Sequence, residues 1–170
     1  MDDGRESGQD VQDYENMEID NVPEILWPNA WLILVIAVAD SGDGATLQAI
    51  IAVGDFNNHA IFVGSELRHG MAILTRQGYI QATDDRFFLT GNAKSFWATK
   101  DQPRRYPHKL WKEFEVFLGA APYSPEQPLA NDDRWQYPGI TDEMVHQAYQ
   151  SYIGKSRIMK KKTAKKAQDS

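Results

Sequence analysis

The chain has no cysteine among its 170 residues. That absence excludes disulfides, thiolate zinc sites, iron–sulfur ligation and a cysteine nucleophile together. Long apolar runs are missing as well. The longest, Ala30 to Ala39, has ten residues, against the roughly 20 that a membrane span needs. No basic stretch followed by an apolar one opens the chain, so no signal segment is expected. A soluble, cytoplasmic protein with no membrane partner is the expectation. Histidine is sparse: His59, His69, His108 and His146 are 10, 39 and 38 residues apart. None of these intervals has the short spacing of paired metal ligands on a helix. The glycine-rich phosphate and dinucleotide loops and the Gly-x-Ser-x-Gly elbow are also absent. Asp40-Ser41-Gly42-Asp43-Gly44 has a faint likeness to a calcium loop. It places glycine third and Ile51 twelfth, where a bidentate glutamate is needed, and it is read as a turn between helices. Asp84-Asp85 is read as a solvated turn and not as an acid/base couple. Neither catalytic residues, nor a metal site, nor a cofactor is expected, and the chain is not read as an enzyme.

What is present suits a folded domain. Five Trp, seven Tyr and seven Phe supply ample material for a core, and a 170-residue chain fits one domain with appendages. The net charge of −6 is unevenly spread. Residues 1–24 hold nine acids and one base, whereas residues 154–170 hold seven bases and one acid. Both ends bury too little apolar surface to offset the entropy of ordering. They are read as an acidic disordered tail and a basic tail, the latter continuing a helix at its start. The charge opposition leads to the expectation that the acidic tail screens the basic end.

Between them the periodicity changes several times. Asn29 to Asp40 reads as a buried helix, although Ile33, Val35, Ile36 and Val38 leave a strand open. A second helix is expected over Ala45 to Asn57, then a brief strand over Ala60 to Val63. Ser65 stands where an N-cap belongs, and Leu67, Gly70, Met71 and Leu74 recur at helical spacing, with Gly78 as a left-handed cap. Tyr79 to Ala82 and Arg86 to Leu89 flank Thr83-Asp84-Asp85, a hairpin signal. A short helix follows around Ala93 to Thr99. Pro107 to Leu118 is a helix with Leu110, Trp111, Phe114, Phe117 and Leu118 on one face. Gly119 to Ile140 is irregular, and its aromatics Tyr123, Trp135 and Tyr137 suggest that it docks on the body. A last helix starts at Thr141, with Asp142 and Glu143 in its first turn. Its buried stripe is expected to comprise Met144, Val145, Ala148, Tyr149, Tyr152 and Ile153.

The stretch Glu66-Leu67-Arg68-His69-Gly70-Met71-Ala72-Ile73-Leu74-Thr75-Arg76-Gln77-Gly78-Tyr79-Ile80, followed by Phe87-Phe88-Leu89-Thr90, resembles the winged-helix superfamily. The resemblance spans about residues 28–100. It rests on an amphipathic third helix, a glycine, an apolar pair opening the wing, and a Leu-Thr ending it. It implies a mainly α fold with a small β-hairpin wing, a winged helix-turn-helix. Residues 101–153 then form accessory helices and a docked Pro-rich loop, a C-terminal helical extension. Winged helices serve DNA binding and protein docking alike.

With Leu67, Gly70, Met71 and Leu74 facing inward, Ser65, His69, Ala72 and Arg76 point outward. Arg68 lies on one flank, and Glu66 and Ile73 on the other. A helix in the major groove would use that face, Arg and His donating to guanine. The expected function is DNA binding of a transcription-regulator type. Arg68, His69 and Arg76 would be base readers, and Ser65 a phosphate contact. Arg86, Arg104, Arg105, Lys109 and the terminal lysines would anchor phosphates. Charge opposes this: residues 28–100 carry five bases and six acids, and duplex affinity rests largely on neutralising phosphates. Arg104 to Lys112 brings four bases and a histidine within nine residues, which partly makes up the shortage. The alternative is a protein-interaction or dimerisation module without DNA contact. The partners in view are therefore double-stranded DNA, a second copy, or another protein.

Overall fold

Helix α1, Trp27–Ala39, is apolar on every side and is stable only when surrounded. All residues from Asn29 to Ala37 are buried, which settles the choice between helix and strand. Each β-branched residue costs the helix a few tenths of a kcal/mol, but burying each large side chain contributes about 1.5–3 kcal/mol. Asn29 secures the start, its Oδ1 accepting from the Leu26 N–H at 2.8 Å. The computed structural model describes residues 24–58, 62–100, 107–122 and 135–168, with the backbone alone described at 56–58 and 156–168. Nearly all of the acidic segment 1–24 therefore lies outside the described residues, as does Tyr123.

The turn after α1 closes on Asp40, whose Oδ1 accepts from the N–H groups of Gly42 at 2.7 Å and Gly44 at 2.9 Å. The carboxylate is used in building the turn between helices. Ala45–Thr46 then forms a short strand, β1, where the sequence pattern suggests helix from Ala45 onward. The cause is local: Thr46 Oγ1 accepts from the Ala49 N–H at 3.2 Å, which is capping behaviour and delays the helix to Leu47. Helix α2 runs over Leu47–Asn58. Ala60 and Ile61 of the expected brief strand lie outside the described residues, and Phe62 and Val63 are not in a strand.

Helix α3, Gly64–Arg76, starts one residue before Ser65, with Val63 as its N-cap. Glu66 decides this: its Oε2 accepts from the Val63 N–H at 3.1 Å, half of a capping box. The helix ends as its spacing indicates, Gly78 taking φ +74°. Strands β2, Ile80–Thr83, and β3, Arg86–Leu89, form the hairpin, with Ile80 opposite Leu89 and Thr83 opposite Arg86. β1 joins the outer edge of β3, Ala45 opposite Phe87, so the antiparallel sheet is ordered β1–β3–β2.

Helices α4, Gly91–Ala98, and α5, Pro107–Leu118, follow. α5 packs along α1. Leu110, Phe114 and Leu118 are buried, and the Trp111 indole N–H donates to the Trp27 carbonyl at 3.3 Å. Phe96 of α4 stacks on Phe117 at 4.4 Å and meets Phe114 edge-on at 5.1 Å. Lys100 closes this corner, 3.9 Å over the Phe96 ring and 2.6 Å from Glu113 Oε2. Helix α6, Asp142–Gln168, is longer than the sequence pattern suggests, its backbone staying helical through most of the basic segment. Its apolar stripe is shallow: Val145, Ala148, Tyr149, Tyr152 and Ile153 are half-buried and Met144 is exposed. The described residues thus form a mainly helical fold of six helices with one small three-stranded sheet. Among them, no helix is long and apolar enough to cross a membrane.

Candidate functional site

The outward side of α3 is closed at its middle. An exposed recognition surface would leave Ser65, His69, Ala72 and Arg76 in water. Instead His69 is 8% exposed and Ala72 0%, and Ile73 on the flank is 0%. Burial therefore surrounds the helix from Leu67 to Leu74, apart from Arg68. The inner side meets α1. The outer side meets residues 135–142, which return after an interval of more than sixty residues.

Hydrogen bonds and an ion pair hold this cover. The Tyr137 N–H donates to the Arg68 carbonyl at 3.0 Å. His69 Nδ1 lies 3.2 Å from the Trp135 carbonyl. A carbonyl can only accept, so Nδ1 carries the proton in this pair. Arg68 Nε donates to Gln136 Oε1 at 3.1 Å, and its Nη1 forms an ion pair with Asp142 in the first turn of α6. Apolar burial supports them, Trp135 being 4%, Tyr137 8% and Ile140 2% exposed. The Tyr137 ring meets Phe87 of the hairpin edge-on at 6.1 Å. A Cβ at Gly64 would stand 2.5 Å from Asp142 Oδ1, so a larger residue there would turn that exposed carboxylate aside.

The other expected site residues are spread over several elements. Ser65 is half-buried in the first turn of α3, and Arg76 is half-buried in the last. Arg86 serves the sheet: its Nη1 donates to the Gly44 carbonyl at 3.2 Å, and its Nε lies 3.7 Å from Asp85. Lys109 is exposed on α5. It stands one turn from Glu113, whose carboxyl is held below its usual range chiefly by the Lys100 hydrogen bond and further by the charges of Lys100 and Lys109. Arg104 and Arg105 lie outside the described residues. Among the described site residues, Arg68 and His69 are both engaged by residues 135–142.

Beside the cover, a groove of about 550 Å³ opens between the hairpin, the start of α2 and α6. Leu47, Phe87 and Tyr137 provide apolar surface, Met144 and Ala148 of α6 form one wall, and Asp84 and Asp85 stand at the hairpin lip. Gln48, Gln147 and Ser151 add hydrogen-bonding groups. At the far side of α6 the Tyr152 hydroxyl donates to Asp55 Oδ2 of α2 at 2.5 Å. That bond, then burial, raises the phenol above its ordinary value. Among the described residues, no group of three or more potential ligands is placed to hold a metal ion.

Sequence reasoning missed Gln136 and Asp142 as partners of Arg68. The aromatic residues Trp135 and Tyr137 were the available signal, marking the segment as one that docks. Nothing in the pattern named the surface it docks on. No family model, curated protein or solved structure matches this chain, so the case for its function rests on its own residues and geometry.

Proposed function

We propose that this chain is a winged-helix module that works by protein contact and does not read DNA with its third helix. The order helix, strand, helix, helix, hairpin, with sheet order β1–β3–β2, supports the winged-helix assignment. In that assignment α3 holds the recognition position and β2–β3 is the wing. The observation that carries the functional reading is the burial of His69 against the Trp135 carbonyl, with Arg68 held by Gln136 and Asp142. A helix must present free side chains to the base edges of the major groove. Here the Arg68 guanidinium is held by Asp142 and Gln136 instead. Uncovering α3 would expose Trp135, Tyr137 and Ile140, all buried now. At about 1.5–3 kcal/mol for each large apolar side chain, that opposes any gain from a few base contacts worth about 1–3 kcal/mol each.

The charge pattern supports the same reading, since the wing tip presents Asp84 and Asp85 where a DNA-binding wing meets phosphates. DNA contact keeps one route, through the basic end of α6, and that route is independent of sequence. Selection from a randomised duplex pool tests the proposal. Repeated rounds with the full chain should enrich no motif, and any retained binding should fall steeply between about 50 and 200 mM salt. Enrichment of a defined motif that Arg68→Ala/Arg76→Ala abolishes would overturn it.

A further inference from the structure

We infer that the groove between the hairpin and α6 is a self-association surface, across which α6 of a second copy lies antiparallel. This rests on the protein-contact reading above and names the partner. Three observations meet here. The first is an apolar groove left open, with Leu47, Phe87 and Tyr137 within it and Met144, 38% exposed, on its α6 wall. Leu47, Phe87 and Tyr137 lie buried in its floor, so Met144 is the apolar side chain that association here would cover.

The second is the length of α6. Among the described side chains, Tyr152 bonds to Asp55 and Lys155 to Gln48. The helical backbone continues to Gln168, about 20 Å further at 1.5 Å per residue. A helical stretch of that length is marginal alone in water and gains its stability from packing. This continuation begins beside Gln48, itself a lining residue of the groove.

The third is charge. The hairpin end of the groove carries Asp84 and Asp85, and the first turn of α6 carries Asp142 and Glu143, all exposed. Residues 154–170 hold seven bases and one acid. One helix therefore runs from an acidic end to a basic end and complements itself when reversed. A two-fold axis near Ser151 sets Met144 level with Ile158, and Glu143 level with Met159. It also brings Lys160 to the acidic end of the groove, with the wing acids Asp84 and Asp85 close by. Such an interface uses the same patch on both copies and closes at two. A parallel arrangement would bring like charges together and is disfavoured.

The test is sedimentation of the full chain over a range of concentrations, with charge reversals on the two sides. The wild type should run at twice the 19.3 kDa of one chain. Asp85→Lys, or Lys160→Glu with Lys161→Glu, should each weaken association about tenfold, and the three changes combined should restore most of it. Circular dichroism of each variant separates dissociation from unfolding. A monomer at every concentration overturns the dimer. A dimer that ignores all the reversals overturns the groove as its surface. Both outcomes leave the protein-contact reading standing, which fails separately if DNA selection enriches a motif.

Discussion

Removing the Arg68 guanidinium should loosen the cover over α3 by a predictable amount. Arg68→Met keeps the apolar stem and deletes the charged head. Two interactions are lost, the hydrogen bond to Gln136 and the ion pair with Asp142. A hydrogen bond contributes a net 0.5–1.5 kcal/mol, roughly, and an exposed ion pair about 0–1 kcal/mol. The Arg68 side chain is 21% exposed and that of Asp142 82%, so water screens the carboxylate side and the pair belongs in the middle of its range. The expected loss is about 1–2 kcal/mol in urea unfolding. Asp142→Asn loses the same pair and also a favourable charge at the N-terminus of α6, about 0.3–1 kcal/mol. The macrodipole contribution is common to both backgrounds and cancels in a double-mutant cycle, leaving a coupling of about 0.5 kcal/mol. Raising salt to about 0.5 M should shrink the coupling, because one partner faces solvent. Strict additivity of the two substitutions at low salt would refute the reasoning.

Three other outcomes follow from the packing and titration. Phe114→Ala should cost about 3–5 kcal/mol, since the ring is fully buried among Phe96, Trp97 and Phe117. Val116→Ala, on the 84% exposed side of the same helix, should stay within about 0.5 kcal/mol in the same thermal melts. Tyr152 is raised above 10.0 in the fold by its bond to Asp55, so its contribution is fully present below pH 10.0 and is lost as pH rises through the higher folded value. Tyr152→Phe should remove that alkaline loss and cost about 0.5–1.5 kcal/mol at neutral pH, both read from urea midpoints across pH. Glu113 is lowered from 4.5 by the Lys100 hydrogen bond, so its contribution holds above 4.5 and is lost as pH falls through the folded value. Glu113→Gln should flatten the acid limb of the same stability profile.

The parts of this fold that were legible in the sequence are those set by local geometry. Leu67, Gly70, Met71 and Leu74, and likewise Leu110, Phe114 and Leu118, announce helices because their spacing matches the helical turn. Asp84, at φ +55° in the hairpin turn, is a residue type that tolerates that conformation. Small side-chain bonds moved the boundaries: Thr46 delayed α2 and Glu66 advanced α3. The larger surprise concerns surfaces. A helical wheel shows which side of α3 faces away from α1, but not that Trp135 returns to accept from His69 across 66 positions. The stripe on α6 fails for a related reason. Its apolar residues lie between α2 and an open groove, so Met144 stays exposed and Tyr149 half-buried.

Amide chemical shifts of the labelled full chain, followed as duplex DNA is added at low salt, test the central claim most directly. The α3 amides from Ser65 to Arg76 should stay unmoved, with any shifts confined to the basic residues beyond Gly154 and removed by salt. Saturable shifts at Ser65, Arg68, His69 and Arg76, accompanied by loss of the Tyr137 amide's protection, would contradict it.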